Sequence, residues 1–160
     1  MMYRDEITIF ALTVTLRLFA FFLLAFFPFW APHDALPLIP VLGSDSRSYL
    51  FVMQDLLETG HFINALGEPN SYELPGYPLF LAALTTFFSS LLVIPLVQHS
   101  IAGFSAVLLY RIGLIFSNKI AWGAALLFAF DPAGIFYTNT ILTEPLFIFF
   151  VLLAFWIITI

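Results

Sequence analysis

Between Ile7 and Trp30 lie 24 residues in which Arg17 is the only charge. At ~1.5 Å rise per residue, a helix of that length crosses the ~30 Å hydrocarbon layer of a bilayer with some tilt. It is too long for the apolar core of a signal peptide. No small-residue cleavage site follows it, so it reads as a retained anchor. Further apolar runs fill most of the remaining chain. Hydrophobic residues make up 62% of the sequence and charged residues 9%, where a soluble domain carries about 25% charged residues. With 160 residues and a mean hydropathy of +1.03, the chain has too little volume to bury this surface against itself. Lipid is its main solvent. In lipid each backbone group must be satisfied inside its own segment, which gives an all-α, polytopic integral membrane protein.

The remaining composition narrows the function classes. The formal charge of -5 comes with no basic cluster, so nothing is built to hold a nucleic-acid backbone. The absence of Cys removes disulfides and thiol chemistry. His33, His61 and His99 are scattered. No phosphate-binding glycine loop, nucleophile elbow or acid-x-acid pair is present, and neither a metal nor a cofactor is expected.

A coarse division follows from periodicity and breakers. The first span is 7–30. Pro32, Pro37 and Pro40 then exclude a helix. Residues 45–59 read as a surface helix: Ser44 stands at the N-cap, and Tyr49, Val52, Met53, Leu56 and Leu57 recur at helical spacing. Gln54, Asp55 and Glu58 take the other face, and Gly60 stops the helix. Gly67, Pro69 and Asn70 mark turns. Apolar segments follow at 78–94, 96–116, 120–137 and 145–160. Counting 78–94 as a span would put Arg111 and Lys119 on the side opposite Arg4, against the positive-inside rule. Laying it on the outer leaflet restores the rule. The expected architecture is therefore three full spans and one incomplete span, with two juxtamembrane helices in the outer loop 31–95. The N-terminus is cytoplasmic and the loop extracytoplasmic, in a plasma (inner) membrane. Phe155 to Ile160 has mid-membrane composition, so the reading frame is expected to continue.

Six of the ten acidic residues fall between Asp34 and Glu73. In this topology Asp45, Glu73 and Glu144 gather at one membrane face. Carboxyls at an apolar boundary are pushed toward the pKa of a general base. Asp55 and Glu58 read as a solvated face, Glu68 as loop and Asp131 as a cap before Pro132. Asp45 reads equally well as a helix-start residue. Glu144 stands at a lipid-facing helix start beside Pro145. Arg17 inside the first span costs at least ~2.5 kcal/mol to insert. It either snorkels or pairs with an acid, or it faces a cavity that binds an anionic group.

The chain resembles the N-terminal part of the GT-C membrane glycosyltransferases, in the branch similar to protein O-mannosyltransferases and the lipid A aminoarabinose transferase. The resemblance lies in the order of Ser44-Asp45-Ser46-Arg47-Ser48-Tyr49-Leu50, Leu57-Glu58-Thr59-Gly60-His61-Phe62, Pro75-Gly76-Tyr77-Pro78-Leu79-Phe80, Asp131-Pro132 and Leu142-Thr143-Glu144-Pro145-Leu146-Phe147. It implies a polyprenyl-phosphate sugar donor and a lipid, glycan or protein hydroxyl acceptor, with inverting transfer at the extracytoplasmic face. Asp45 would be the catalytic base and Glu144 a second acid of the cavity. Arg47, Tyr49, Glu73, Tyr77 and Arg17 would bind substrate. The chain departs from the family pattern in Glu73-Leu74, where a cation often stands, and in Ser46, where a second acid is common. It would also lack most of the lipid-carrier groove. Two other classes compete: a non-catalytic membrane assembly protein, and a transporter component, which would carry broken helices in matched halves.

Overall fold

The computed structural model describes residues 2–26, 44–63 and 67–159. Among these, seven helices and no strand are present: α1 (Met2–Phe26), α2 (Ser44–Thr59), α3 (Gly76–Phe88), α4 (Val93–Leu114), α5 (Asn118–Ala129), α6 (Pro132–Thr138) and α7 (Glu144–Thr159). The end of the expected first span, the proline-rich stretch 31–43 and residue 160 lie outside the described residues. By length and apolarity α1 and α4 are long enough to cross a membrane. The α5–α6 pair makes a third crossing if it is counted as one span.

That pair corrects the sequence division. Residues 120–137 were expected as a continuous span, but the helix breaks at Phe130–Asp131 and bends by 54°. The cause is local. Pro132 has no N–H and restricts the residue before it, so Asp131 leaves the helical region at φ -63, ψ 115. Its carboxylate then accepts from Ala133 N (3.4 Å) and Gly134 N (2.7 Å), capping α6. A second correction concerns Pro95. The sequence division ends one apolar segment at 94 and begins the next at 96, but Pro95 sits in the first turn of α4, where proline costs little. The break falls earlier, at Ser89, which turns left-handed at φ 49.

α4 is the central helix, packed by α1, α5 and α7. Most of its buried residues are small or polar, among them Gln98, His99, Ala102, Gly103, Ser105, Ala106 and Gly113, with Ile94 and Leu108 as the large apolar exceptions. α5 answers with Ala121, Ala125 and Ala129, every fourth residue and each at most 1% exposed. Small residues let helices approach closely where lipid removes the hydrophobic drive between them. A Cβ on Gly113 would lie 2.6 Å from the Ala121 Cα, and one on Gly103 would lie 2.7 Å from the Phe10 ring. α1 turns Ile9, Thr13, Arg17 and Phe21 inward. Its exposed face carries Ile7, Phe19, Phe22 and Leu23. This inverts the pattern of a soluble bundle.

α2 and α3 pack side by side on one end of this bundle and run in the same direction, since Tyr49 meets Tyr77 and, further along both helices, Met53 meets Thr85. Met53, Tyr77, Leu81 and Ala82 bury against Ile94 of α4 and Ile141 of the α6–α7 turn, with Tyr49 and Leu146 at the edge.

Candidate functional site

A cavity of about 480 Å³ opens where α2, the 72–76 segment, α3 and α7 meet. Tyr49, Tyr72, Glu73, Tyr77, Thr143, Phe147 and Phe150 contribute to its wall. Each is positioned by a local device. Tyr49 projects from the second turn of α2, edge-on to Tyr77 with ring centroids 4.9 Å apart. Asn70 Oδ1 accepts from Tyr72 N (3.0 Å) and Glu73 N (3.2 Å), an Asx turn that sets the strap before α3. The Glu73 carboxylate accepts from the Ser48 hydroxyl, tying that strap to α2. That bond is the main cause that holds the Glu73 carboxyl below the usual carboxylate range.

Tyr77 reaches inward. Its hydroxyl donates to Gln98 Oε1 at 2.7 Å, and burial, with Tyr49 and Glu144 nearby, pushes the phenol upward. It therefore stays a neutral donor. Gln98, 1% exposed, sends its amide to Thr140 O (2.7 Å), Tyr137 O (3.3 Å) and Thr138 O (3.4 Å). These carbonyls lie at and just beyond the end of α6, where helical N–H partners run out, and Tyr137 O also accepts from Thr140 N at 3.3 Å. Gln98 thus locks the turn that leads into α7, and so fixes the height of Thr143 and Glu144. Thr143 Oγ1 lies 3.5 Å from Glu144 Oε2. Glu144 opens α7, where the positive helix end favours a carboxylate.

The expected site residues separate into three places. Tyr49, Glu73 and Tyr77 share the cavity wall, and Glu144 stands next to Thr143 at its edge. Asp45 and Arg47 are exposed on the first turn of α2 and do not line the cavity. Asp45 is four residues before Tyr49, on the same side of the helix. Arg17 is elsewhere, and it neither snorkels nor faces a substrate-sized space. It is 0% exposed, and its guanidinium donates to Thr13 O (3.4 Å), Ala129 O (3.3 Å) and Phe128 O (3.3 Å). It lies 5.2 Å from the Phe128 ring centroid. The space beside it is about 10 Å³, room for one water at most. Arg17 is a tethered cation at the negative end of α5, with the Asp131 charge across Gly134. A Cβ there would sit 2.9 Å from Asp131 Oδ2 and 3.4 Å from Arg17 Nη2. In this structure Arg17 stands away from the cavity, with Nη1 and Nη2 on carbonyls of α1 and of the break between α5 and α6, while its buried Nε has no partner among the described residues.

Sequence reasoning missed Gln98 and Thr143. A polar residue in an apolar run is the available signal, since intramembrane polar side chains face the bundle interior. Among the described residues no three of His, Asp and Glu converge as metal ligands. No protein-family model matches the chain, and neither a curated protein nor a solved structure does.

Proposed function

We propose that the chain is the N-terminal membrane region of a GT-C-like glycosyltransferase, and that the α2–α3–α7 cavity is its sugar-transfer site. In this reading α2 and α3 lie on the extracytoplasmic face of a plasma membrane. α1, α4, the broken α5–α6 pair and α7 make up the membrane-embedded part, and the N-terminus is cytoplasmic. The observation that carries the reading is the cavity itself. Tyr49, Glu73, Tyr77 and Thr143, with Glu144 at the edge, come from three separate chain regions onto one space at the end of the bundle.

The chemistry follows from those groups. A hydroxyl of the acceptor attacks the anomeric carbon of a polyprenyl-phosphate sugar, and the lipid phosphate leaves with its bonding pair. The proton goes to a carboxylate, and configuration inverts. Asp45, one turn above Tyr49, is the proposed base. Aromatic faces of Tyr49, Tyr72 and Phe147 offer a stacking wall for a sugar ring, and Glu144 is an acceptor for sugar hydroxyls.

The test uses the protein expressed from its complete reading frame, in membranes supplied with radiolabelled polyprenyl-phosphate hexose or pentose. Asp45→Asn is expected to remove transfer to acceptor while membrane insertion is retained. General acid–base contributions are ~10²–10⁴-fold, so a loss below about tenfold refutes the role of Asp45. A second reading, a non-catalytic assembly protein, draws support from one observation: Asp45 is exposed and off the cavity wall. It predicts no transfer from any donor and no effect of Asp45→Asn.

A further inference from the structure

At the opposite end of the bundle, about 20 Å along α4 from Gln98 at 1.5 Å per residue, lies a second and larger space. It is a groove of about 660 Å³ between α1, α4 and α7. Ile7, Phe10, Phe104, Phe149 and Leu153 are among its apolar walls, while Tyr3, Glu6 and Arg111 stand at the helix ends. Nothing in the sugar-transfer reading uses it.

The polar end is built around Arg111. Glu6, buried at 7% exposure, takes the guanidinium side-on, from Nε at 2.9 Å and from Nη2 at 2.8 Å. Trp156 of α7 covers one face, 5.3 Å from ring centroid to Cζ. A guanidinium has five N–H groups. Among the described residues, both on Nη1 and one on Nη2 have no acceptor. The side chain remains 37% exposed, on the wall of the groove. The charge at this end is also uneven. Tyr110 bonds both Asp5 and Asn118, which brings the starts of α1 and α5 together. Arg4, Arg111 and Lys119 therefore stand against Asp5 and Glu6.

We infer that this groove is a binding site for one anionic glycerophospholipid, with its phosphate on the free Nη1 edge of Arg111 and an acyl chain between Phe10, Phe104 and Phe149. An apolar trough ending at a head-level cation has the polarity of a lipid along its length. A planar donor pair fits two phosphate oxygens. Tyr3 at the rim is the amphipathic ring expected at an interface. The Glu6 pairing orients the guanidinium without using the edge that faces the groove. The excess of one cation at this end favours a headgroup that brings no ammonium of its own.

Trp156 makes the site readable. With every tryptophan other than Trp156 replaced by Phe, Trp30 and Trp122 among them, the remaining indole reports on the Arg111 end of the groove. The protein is placed in phosphatidylcholine vesicles holding a minor fraction of either acyl-brominated phosphatidylglycerol or acyl-brominated phosphatidylcholine. Quenching of Trp156 should show about a fivefold preference for the phosphatidylglycerol, the worth of one basic side chain at an anionic surface, ~1 kcal/mol. Arg111→Gln should reduce the ratio to unity. Ile7→Phe, on the 55% exposed wall residue, leaves the ion pair in place and should weaken quenching by both lipids. Equal quenching in the parent protein overturns the inference. So does a preference that survives Arg111→Gln, quenching unchanged by Ile7→Phe, or no quenching by either lipid, which would mean that another helix fills the groove.

Discussion

Removing the Gln98 side chain should destabilise the fold, because it joins Tyr77 of α3 to the turn after α6. Gln98→Ala strands the Tyr77 hydroxyl, which has lost its 2.7 Å acceptor, and the Thr140 carbonyl, which has lost its 2.7 Å donor. In water-soluble proteins each buried stranded group costs ~1–3 kcal/mol. Within membranes measured hydrogen-bond couplings average only ~0.6 kcal/mol and reach ~1.7, because the unfolded state in lipid also finds partners. Gln98 lies in the second turn of α4, close to the end of the bundle, so the two regimes bracket the answer. For Gln98→Ala, two stranded groups and a side-chain-sized hole give about 3 kcal/mol. Tyr77→Phe removes one bond and leaves no hole, so about 0.6–1.5 kcal/mol is expected. The double variant should show a coupling of ~0.5–1.5 kcal/mol between the two sites. The assay is reversible unfolding in mixed detergent micelles, followed by far-UV circular dichroism. A neutral Tyr77→Phe together with a coupling within ~0.3 kcal/mol of zero would refute the claim that this bond joins the α2–α3 pair to the bundle.

Two further outcomes test the packing and the strap. Gly113→Ala should cost about 1–3 kcal/mol, since the added Cβ meets Ala121 backbone that cannot rotate away, whereas Gly123→Ala, with open space at its Cβ, should be neutral or stabilising in the same unfolding assay. The Glu73 carboxyl has a folded pKa below its ordinary 4.5. Its contribution is thus fully present above that value and is lost as the pH falls through the lowered one. The melting temperature of the parent should drop across that acid window, and Glu73→Gln or Ser48→Ala should flatten the drop. An identical pH profile in all three proteins would show that the Ser48–Glu73 bond contributes nothing.

Much of the α2 helix was readable in advance because it lies at a boundary. One side meets the bundle and the other does not, so Val52 and Met53 alternate with Gln54 and Glu58 in the ordinary amphipathic way. Inside the membrane that signal disappears. Both the lipid face and much of the core are apolar, and the polar residues turn inward. Arg17 shows the consequence. Two of the roles expected of it, snorkelling and substrate binding, assume that a cation in lipid seeks water or a ligand. The third, pairing with an acid, came nearest, since the Asp131 charge lies across Gly134. The groups that accept from it, however, are the carbonyls of Thr13 and of Phe128 and Ala129, the last two at the point where the regular helical bonding of α5 ends. Asp131 was read as a cap before Pro132, yet the span 120–137 was carried through both residues. The link between that break and Arg17 spans more than a hundred residues and has no local trace.

Composition and the run of apolar residues determined the solvent, the helical class and roughly where helices lie, though not the break at Asp131 or the turn at Ser89, because apolar length and the need to satisfy each backbone group leave lipid-embedded chains few alternatives. Tertiary structure decided which polar groups meet. Tyr49, Glu73, Tyr77 and Thr143 come to one cavity with Glu144 at its edge, Asp45 stays on its outer turn, and Arg17 is buried elsewhere in the bundle. It also set Arg111 beside Glu6 and Trp156 at the far end. Those pairings depend on how helices rotate and approach through Gly103, Gly113 and the alanines of α5, and side-chain contacts across such interfaces are chosen by packing, not by any spacing along the chain.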